Sequence, residues 1–75
     1  MTEVENITET KNGIKYAYEK EGIFDTEYVA ECVEYGDEFC SSFFAPDNYT
    51  ESQLYEIGDD IASLYGGSCT GIFKQ

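Results

Sequence analysis

The order of apolar runs and turn signals predicts one small two-layer α+β domain over residues 1–75, an antiparallel sheet of three to five strands with one or two helices on one face. Three observations carry this expectation. Asn12-Gly13 lies between two strand-like runs, the stretch after Pro46 has the period and punctuation of an amphipathic helix, and aromatic or β-branched runs flank that helix on both sides. The resulting order is β-β-(α or β)-β-α-β, and no internal repeat, linker or low-complexity tract interrupts it.

Asn and Gly both accept the positive φ of a type I′ turn, so Asn12-Gly13 is expected to close a hairpin between residues 4–10 and 14–20. A two-residue loop sets Lys11 opposite Ile14, Glu9 opposite Tyr16 and Ile7 opposite Tyr18. Ile7, Ile14, Tyr16 and Tyr18 then share a half-buried face, with Lys15 and Glu19 in water.

Two readings compete for the next stretch. Tyr28, Val29, Cys32 and Val33 recur at i, i+1, i+4 and i+5, while Glu27, Glu31 and Glu34 fall at i, i+4 and i+7 on the opposite side. That pattern favours an amphipathic helix with Asp25 or Thr26 as N-cap and Gly36 at C′. Tyr, Val and Cys are better strand formers, however, and the alternative is a hairpin of residues 28–35 and 38–45 turning at Gly36-Asp37. On both readings the Phe-rich run Glu38 to Ala45 is a strand, ended by Pro46.

The segment that follows is a helix with clear punctuation. Thr50-Glu51-Ser52-Gln53 fits a capping box, Tyr49 and Leu54 occupy the staple positions, and Gly66-Gly67 stop it. Leu54, Ile57, Ile61, Leu64 and Tyr65 form the expected buried stripe, and Ser52, Glu56, Asp59, Asp60 and Ser63 the wet face. Gly58 falls on the stripe, where a missing side chain permits close approach to a sheet. Residues 69–74 make a last short strand carrying Ile72 and Phe73.

A chain of 75 residues builds a single core, and such a core supplies only about 3–5 kcal/mol. Twelve aromatics, seven Tyr and five Phe, make it dense, because each ring buries large area. A homodimer would relieve the marginal core. The first ten residues have no apolar run and no eighteen apolar residues follow one another, which predicts a cytoplasmic protein without membrane contact. There Cys32, Cys40 and Cys69 are expected to stay reduced as small hydrophobes, since three thiols at these spacings fit neither a disulfide framework nor a zinc knuckle.

Charge is the feature that bears on function. Between Glu21 and Phe73 the chain carries twelve carboxylates and no Lys or Arg, and the flanking residues hold four acids and four lysines that cancel, so the net charge of −12 lies in one block. Charge of one sign opposes compactness through self-repulsion, and solubility needs far less of it. With no His and no Arg, the chain lacks the usual acid/base near neutral pH and the usual phosphate clamp. Direct binding of nucleic acid or anionic membrane is excluded by like charge, and no catalytic signature or cofactor motif is present.

The expected user of such charge is a basic surface on a partner, above all one built to hold nucleic acid. On a helix, Glu27, Glu31, Glu34 and Glu38 stand about 5–6 Å apart in a column, a diluted version of a phosphate strand. Glu56, Asp59 and Asp60 supply a second acidic line, and Asp37 lies beside the first. Tyr35 and Tyr55, with Tyr49 as a third, are the expected anchors, because Tyr covers area at small entropic cost.

In size and charge, over no specific residues, the chain is similar to the small phage or mobile-element proteins that block host defence: anti-CRISPR proteins, anti-restriction DNA mimics and uracil-DNA glycosylase inhibitors. The resemblance implies a non-enzymatic inhibitor that fills a nucleic-acid channel on a nuclease complex or repair enzyme. A bacteriocin immunity protein or antitoxin facing a basic toxin places the same demand on a surface, and is the alternative.

Asp59-Asp60 and Asp47 to Glu51 are carboxylate-rich but lack EF-hand spacing, so no metal site is expected. Millimolar Ca²⁺ or Mg²⁺ should therefore leave the melting temperature unchanged, whereas a ligand of the folded state would raise it.

Overall fold

A computed structural model describes residues 7–18, 24 and 26–75. They form a five-stranded antiparallel sheet with one helix packed on one face, the α+β arrangement expected. The strands are β1 (Ile7–Glu9), β2 (Lys15–Ala17), β3 (Thr26–Glu34), β4 (Asp37–Ala45) and β5 (Ser68–Lys74), with helix α1 (Glu51–Leu64) between β4 and β5. Their spatial order is β1-β2-β4-β3-β5. The long β3–β4 pair therefore fills the middle, and β5 returns from the helix to the outer side of β3.

The first hairpin forms with a register one residue away from the expected one. Ile7 pairs with Ala17, Thr8 with Tyr16 and Glu9 with Lys15. The loop is three residues long: Thr10 N–H donates to the Ile14 carbonyl at 2.9 Å, Gly13 N–H donates to the Thr10 carbonyl at 3.0 Å, and only Gly13 in this loop has positive φ. Thr10 decides the difference, because its buried hydroxyl accepts from the N–H groups of Asn12 and Ile14, both at 3.3 Å. With a side-period of two, the slip moves Ile7 off the face that holds Tyr16. Residues 4–6, Glu19, Lys20 and Asp25 lie outside the described residues.

Residues 26–34 are a strand, and the helical reading is overturned. Tyr28, Ala30 and Cys32 are buried on the helix side, while Val29 and Val33 are half-buried on the other. A central strand with apolar residues on both faces produces apolar neighbours at i, i+1, i+4 and i+5 without any helix. Pairing on both sides confirms its position, with Tyr28 opposite Phe43 on β4 and Lys74 on β5. The turn is Tyr35-Gly36, one residue before the expected Gly36-Asp37, with φ of 51° and 86° and Glu34 paired to Asp37. A bulky residue at positive φ costs on the order of 1 kcal/mol or more, and like charges directly opposite cost about 0.2–1 kcal/mol more.

The core is aromatic at its centre and aliphatic beneath the helix. The Phe43 ring stacks on Tyr28 at 5.5 Å and meets Tyr16 edge-on at 6.0 Å. Ile57, Ile61 and Ala62 of α1 are fully buried against this layer. Leu64 and Tyr65, expected in the same stripe, are exposed instead, at 64% and 53%, with the Tyr65 ring meeting only the edge of the layer at Phe39. Cys32 is buried as expected, Cys69 is half-buried and Cys40 faces solvent.

Both helix ends carry their expected caps. Thr50 Oγ1 accepts from Gln53 N–H at 3.2 Å while the Gln53 side chain accepts from Thr50 N–H at 2.8 Å. At the other end Gly67 N–H donates to the Ala62 carbonyl at 2.9 Å and Gly66 N–H to the Ser63 carbonyl at 3.2 Å, a Schellman pair with Gly66 at φ 81°. Midway, Gly58 permits the helix to rest on β5: a Cβ there would stand 2.5 Å from Cys69 Sγ and 2.8 Å from Ile72 Cδ1.

Gly58→Ala should therefore destabilise the domain despite the better helix propensity of Ala. Overpacking of about 1–3 kcal/mol exceeds a propensity gain of up to about 1 kcal/mol. Thermal unfolding should show a melting temperature lowered by about 4–8 °C per kcal/mol lost.

Candidate acidic interaction surface

One helix covers one face, and eight of the described carboxylates divide among three places. The open face of the sheet presents Glu27 and Glu31 from β3 and Glu38 from β4, between Val29, Val33, Cys40 and Phe44. Among the described residues nothing covers it. The tip of the β3–β4 hairpin presents Glu34, Tyr35 and Asp37. Helix α1 contributes Tyr55 together with Glu56, Asp59 and Asp60, whose carboxylates reach toward the neighbouring strands and the first hairpin loop.

The strand conformation dissolves the column expected of Glu27, Glu31, Glu34 and Glu38. Four residues along a strand span about 13 Å, so Glu27 and Glu31 stand well apart on the open face. Glu34, at odd spacing from them, points to the helix side, and Glu38 sits opposite Val33 on the neighbouring strand. Asp37 and Glu34 form one cross-strand pair.

The helical acids remain together, but each also holds the fold. Tyr16 O–H donates to Asp60 Oδ2 at 2.7 Å, the Asn12 side-chain amide donates to the Glu56 carboxylate, and Cys69 N–H donates to Asp59 Oδ1 at 3.4 Å. The three carboxylates thereby tie α1 to β2, to the first hairpin loop and to β5. Together with Thr10, Lys11 and Ser63 they line an open groove of about 520 Å³. Among the described residues the ion pair is Lys15 with Glu9, at 3.9 Å and with both side chains more than half exposed, so it adds little stability.

Of the expected anchors, Tyr35 is 93% exposed and Tyr55 37% exposed. Tyr49 is committed internally: its hydroxyl donates to the Lys15 carbonyl at 3.0 Å and accepts from Lys15 N–H at 3.2 Å. Leu64 and Tyr65 are the surface residues that periodicity missed.

Two of the three thiols are withdrawn from water. Burial pushes Cys32 up to about 11 and raises Cys69 as well, so both stay protonated near neutral pH. Among the described residues no three acidic or thiol groups converge as a metal ion would require, and no helix is long and apolar enough to cross a membrane. The chain matches no protein-family model, no curated protein and no solved structure.

Burial first, and the hydrogen bond to Asp60 second, raise the Tyr16 hydroxyl above its ordinary value of 10. A neutral phenol held this way stabilises the fold in full below about pH 10, the unfolded value, and the contribution falls as pH climbs beyond it. Tyr16→Phe should lose about 1.5–3 kcal/mol at pH 7, nearer the lower figure because Asp60 reaches water. Urea melts of the two proteins from pH 8 to 11 should converge, the wild type losing stability more steeply above pH 10.

Proposed function

We propose that this protein is a small non-enzymatic inhibitor that occupies the basic nucleic-acid-binding surface of a larger protein or nuclease complex. The observation that carries the reading is the uncompensated acid block, eight of whose described members lie on the open sheet face, at the hairpin tip and along α1. Cationic grooves attract such a surface over a Debye length of about 8 Å and speed its arrival. The support is the field of the whole block and not a residue-by-residue copy of a phosphate strand, since the carboxylates are spaced as strands space them. Glu27, Glu31, Glu34, Asp37, Glu38, Glu56, Asp59 and Asp60 provide the charge, with Tyr35 and Tyr55 as anchors. Size and charge suit the anti-CRISPR and anti-restriction class of phage or mobile-element proteins, acting as a DNA mimic in the host cytoplasm.

The test is retention of bacterial lysate proteins on the immobilised chain, eluted in a salt series, identified by mass spectrometry and challenged with duplex DNA. DNA- or RNA-handling proteins should release as salt rises and should be displaced by the duplex. Reversing three of Glu27, Glu31, Glu34, Asp37 and Glu38 to Lys should abolish retention with an unchanged circular dichroism spectrum. Retention that survives those reversals would remove the site assignment, and a basic toxin as the captured partner would favour an immunity protein instead.

A further inference from the structure

Among the described residues, three of the four large hydrophobics that are more than half exposed belong to the hairpin tip and the end of α1, Phe73 on β5 being the fourth. Tyr35 is 93% exposed, Leu64 64% and Tyr65 53%. The two elements touch at this pole: the Tyr65 ring meets Phe39 edge-on at 5.3 Å, and Gly67 lies against the Val33 carbonyl, closer than any Cβ would permit. Exposed side chains of this size at one end of a small domain mark a contact surface. Tyr35 in particular is held at positive φ, although its ring packs on nothing that would offset the strain.

The charge around this patch selects its occupant. Glu34 and Asp37 face each other across the tip with Glu38 beside them, and the last turn of α1 contains no basic residue, so the negative end of the helix dipole is uncompensated there. A guanidinium suits both halves of such a surface. Its forked N–H groups bridge paired carboxylates, and its flat face stacks on Tyr rings, whereas an ammonium satisfies only the charge. We infer that the pole formed by Tyr35, Leu64 and Tyr65 is the primary docking surface for an arginine-presenting protein partner. The inference rests on the reading of the chain as a binder of basic surfaces and names the part of it that decides affinity.

Tyr35→Asn separates the two ideas, because Asn accepts positive φ. Deca-arginine and deca-lysine are the probes, titrated against wild type, Tyr35→Asn and the control Tyr18→Asn, a tyrosine 37% exposed and outside the proposed anchors, at matched low ionic strength, with melting temperatures recorded. The wild type and the Tyr18 variant should bind deca-arginine about tenfold more tightly than deca-lysine. Tyr35→Asn should melt several degrees higher and lose that preference while keeping its salt-dependent affinity for both peptides. If the wild type binds neither peptide, the underlying reading fails with it. If both peptides bind equally to the wild type, if Tyr35→Asn keeps the arginine preference, or if it melts lower, the docking surface is overturned and the broader reading stands.

Discussion

One helix over a five-stranded sheet is the constraint from which the other features follow. A chain of this length has one apolar layer to offer, and α1 covers it through Ile57, Gly58, Ile61 and Ala62. The close rest of Gly58 on Cys69 and Ile72 lets a single fourteen-residue helix hold β5 against β3. The fully buried side chains, Tyr16, Phe43, Ile57 and Ile61 among them, fill that single layer. Glu27, Glu31 and Glu38 therefore stand on the open sheet face, Glu34 and Asp37 at the hairpin tip, and Glu56, Asp59 and Asp60 along the helix.

The way those acids are satisfied preserves the charge. Asp60, Glu56 and Asp59 accept hydrogen bonds from a phenol, a side-chain amide and a backbone N–H, all neutral donors. Had lysines met the same carboxylates, the contacts would fasten the helix equally well and cancel the field. Neutral donors fasten it and leave the negative charge in place. The cost is electrostatic self-repulsion, and the aromatic stack of Tyr16, Phe43 and Tyr28 is the dense core that opposes it.

Much of this was legible in the residues. The capping box at Thr50, the stop at Gly66-Gly67, the close approach at Gly58 and the final strand all form as their local signals require, because caps and glycines act over a few residues and need no tertiary context. Two elements form differently from their local signals, for separate reasons. Residues 26–34 lie in the middle of the sheet and bury side chains on both faces, which erases the period-two alternation that announces an edge or surface strand. The first hairpin slipped by one because Thr10, a side chain outside the Asn-Gly signal, supplied hydrogen bonds that favour a three-residue loop. Reading Glu27, Glu31 and Glu34 as a helical column was the price of the first error. In the sheet they serve two faces, and the polar tip they flank replaces the column as the place where charge and aromatic surface coincide.

Charge is spread widely over the described residues, whereas large exposed side chains are few. The acid block is spread over three sides, and a field of that extent governs how quickly and toward what a protein diffuses, with little demand on geometry. Residence depends on the few side chains that exclude water from a contact. Leu64 and Tyr65 stand exposed at the end of α1, and Tyr35 stands exposed because a tight turn accepted a residue poorly suited to its backbone. Neither arrangement helps the isolated domain fold. Local choices that oppose the fold and coincide in space are where selection for another property is most readily seen, and here they coincide beside the paired carboxylates of Glu34 and Asp37.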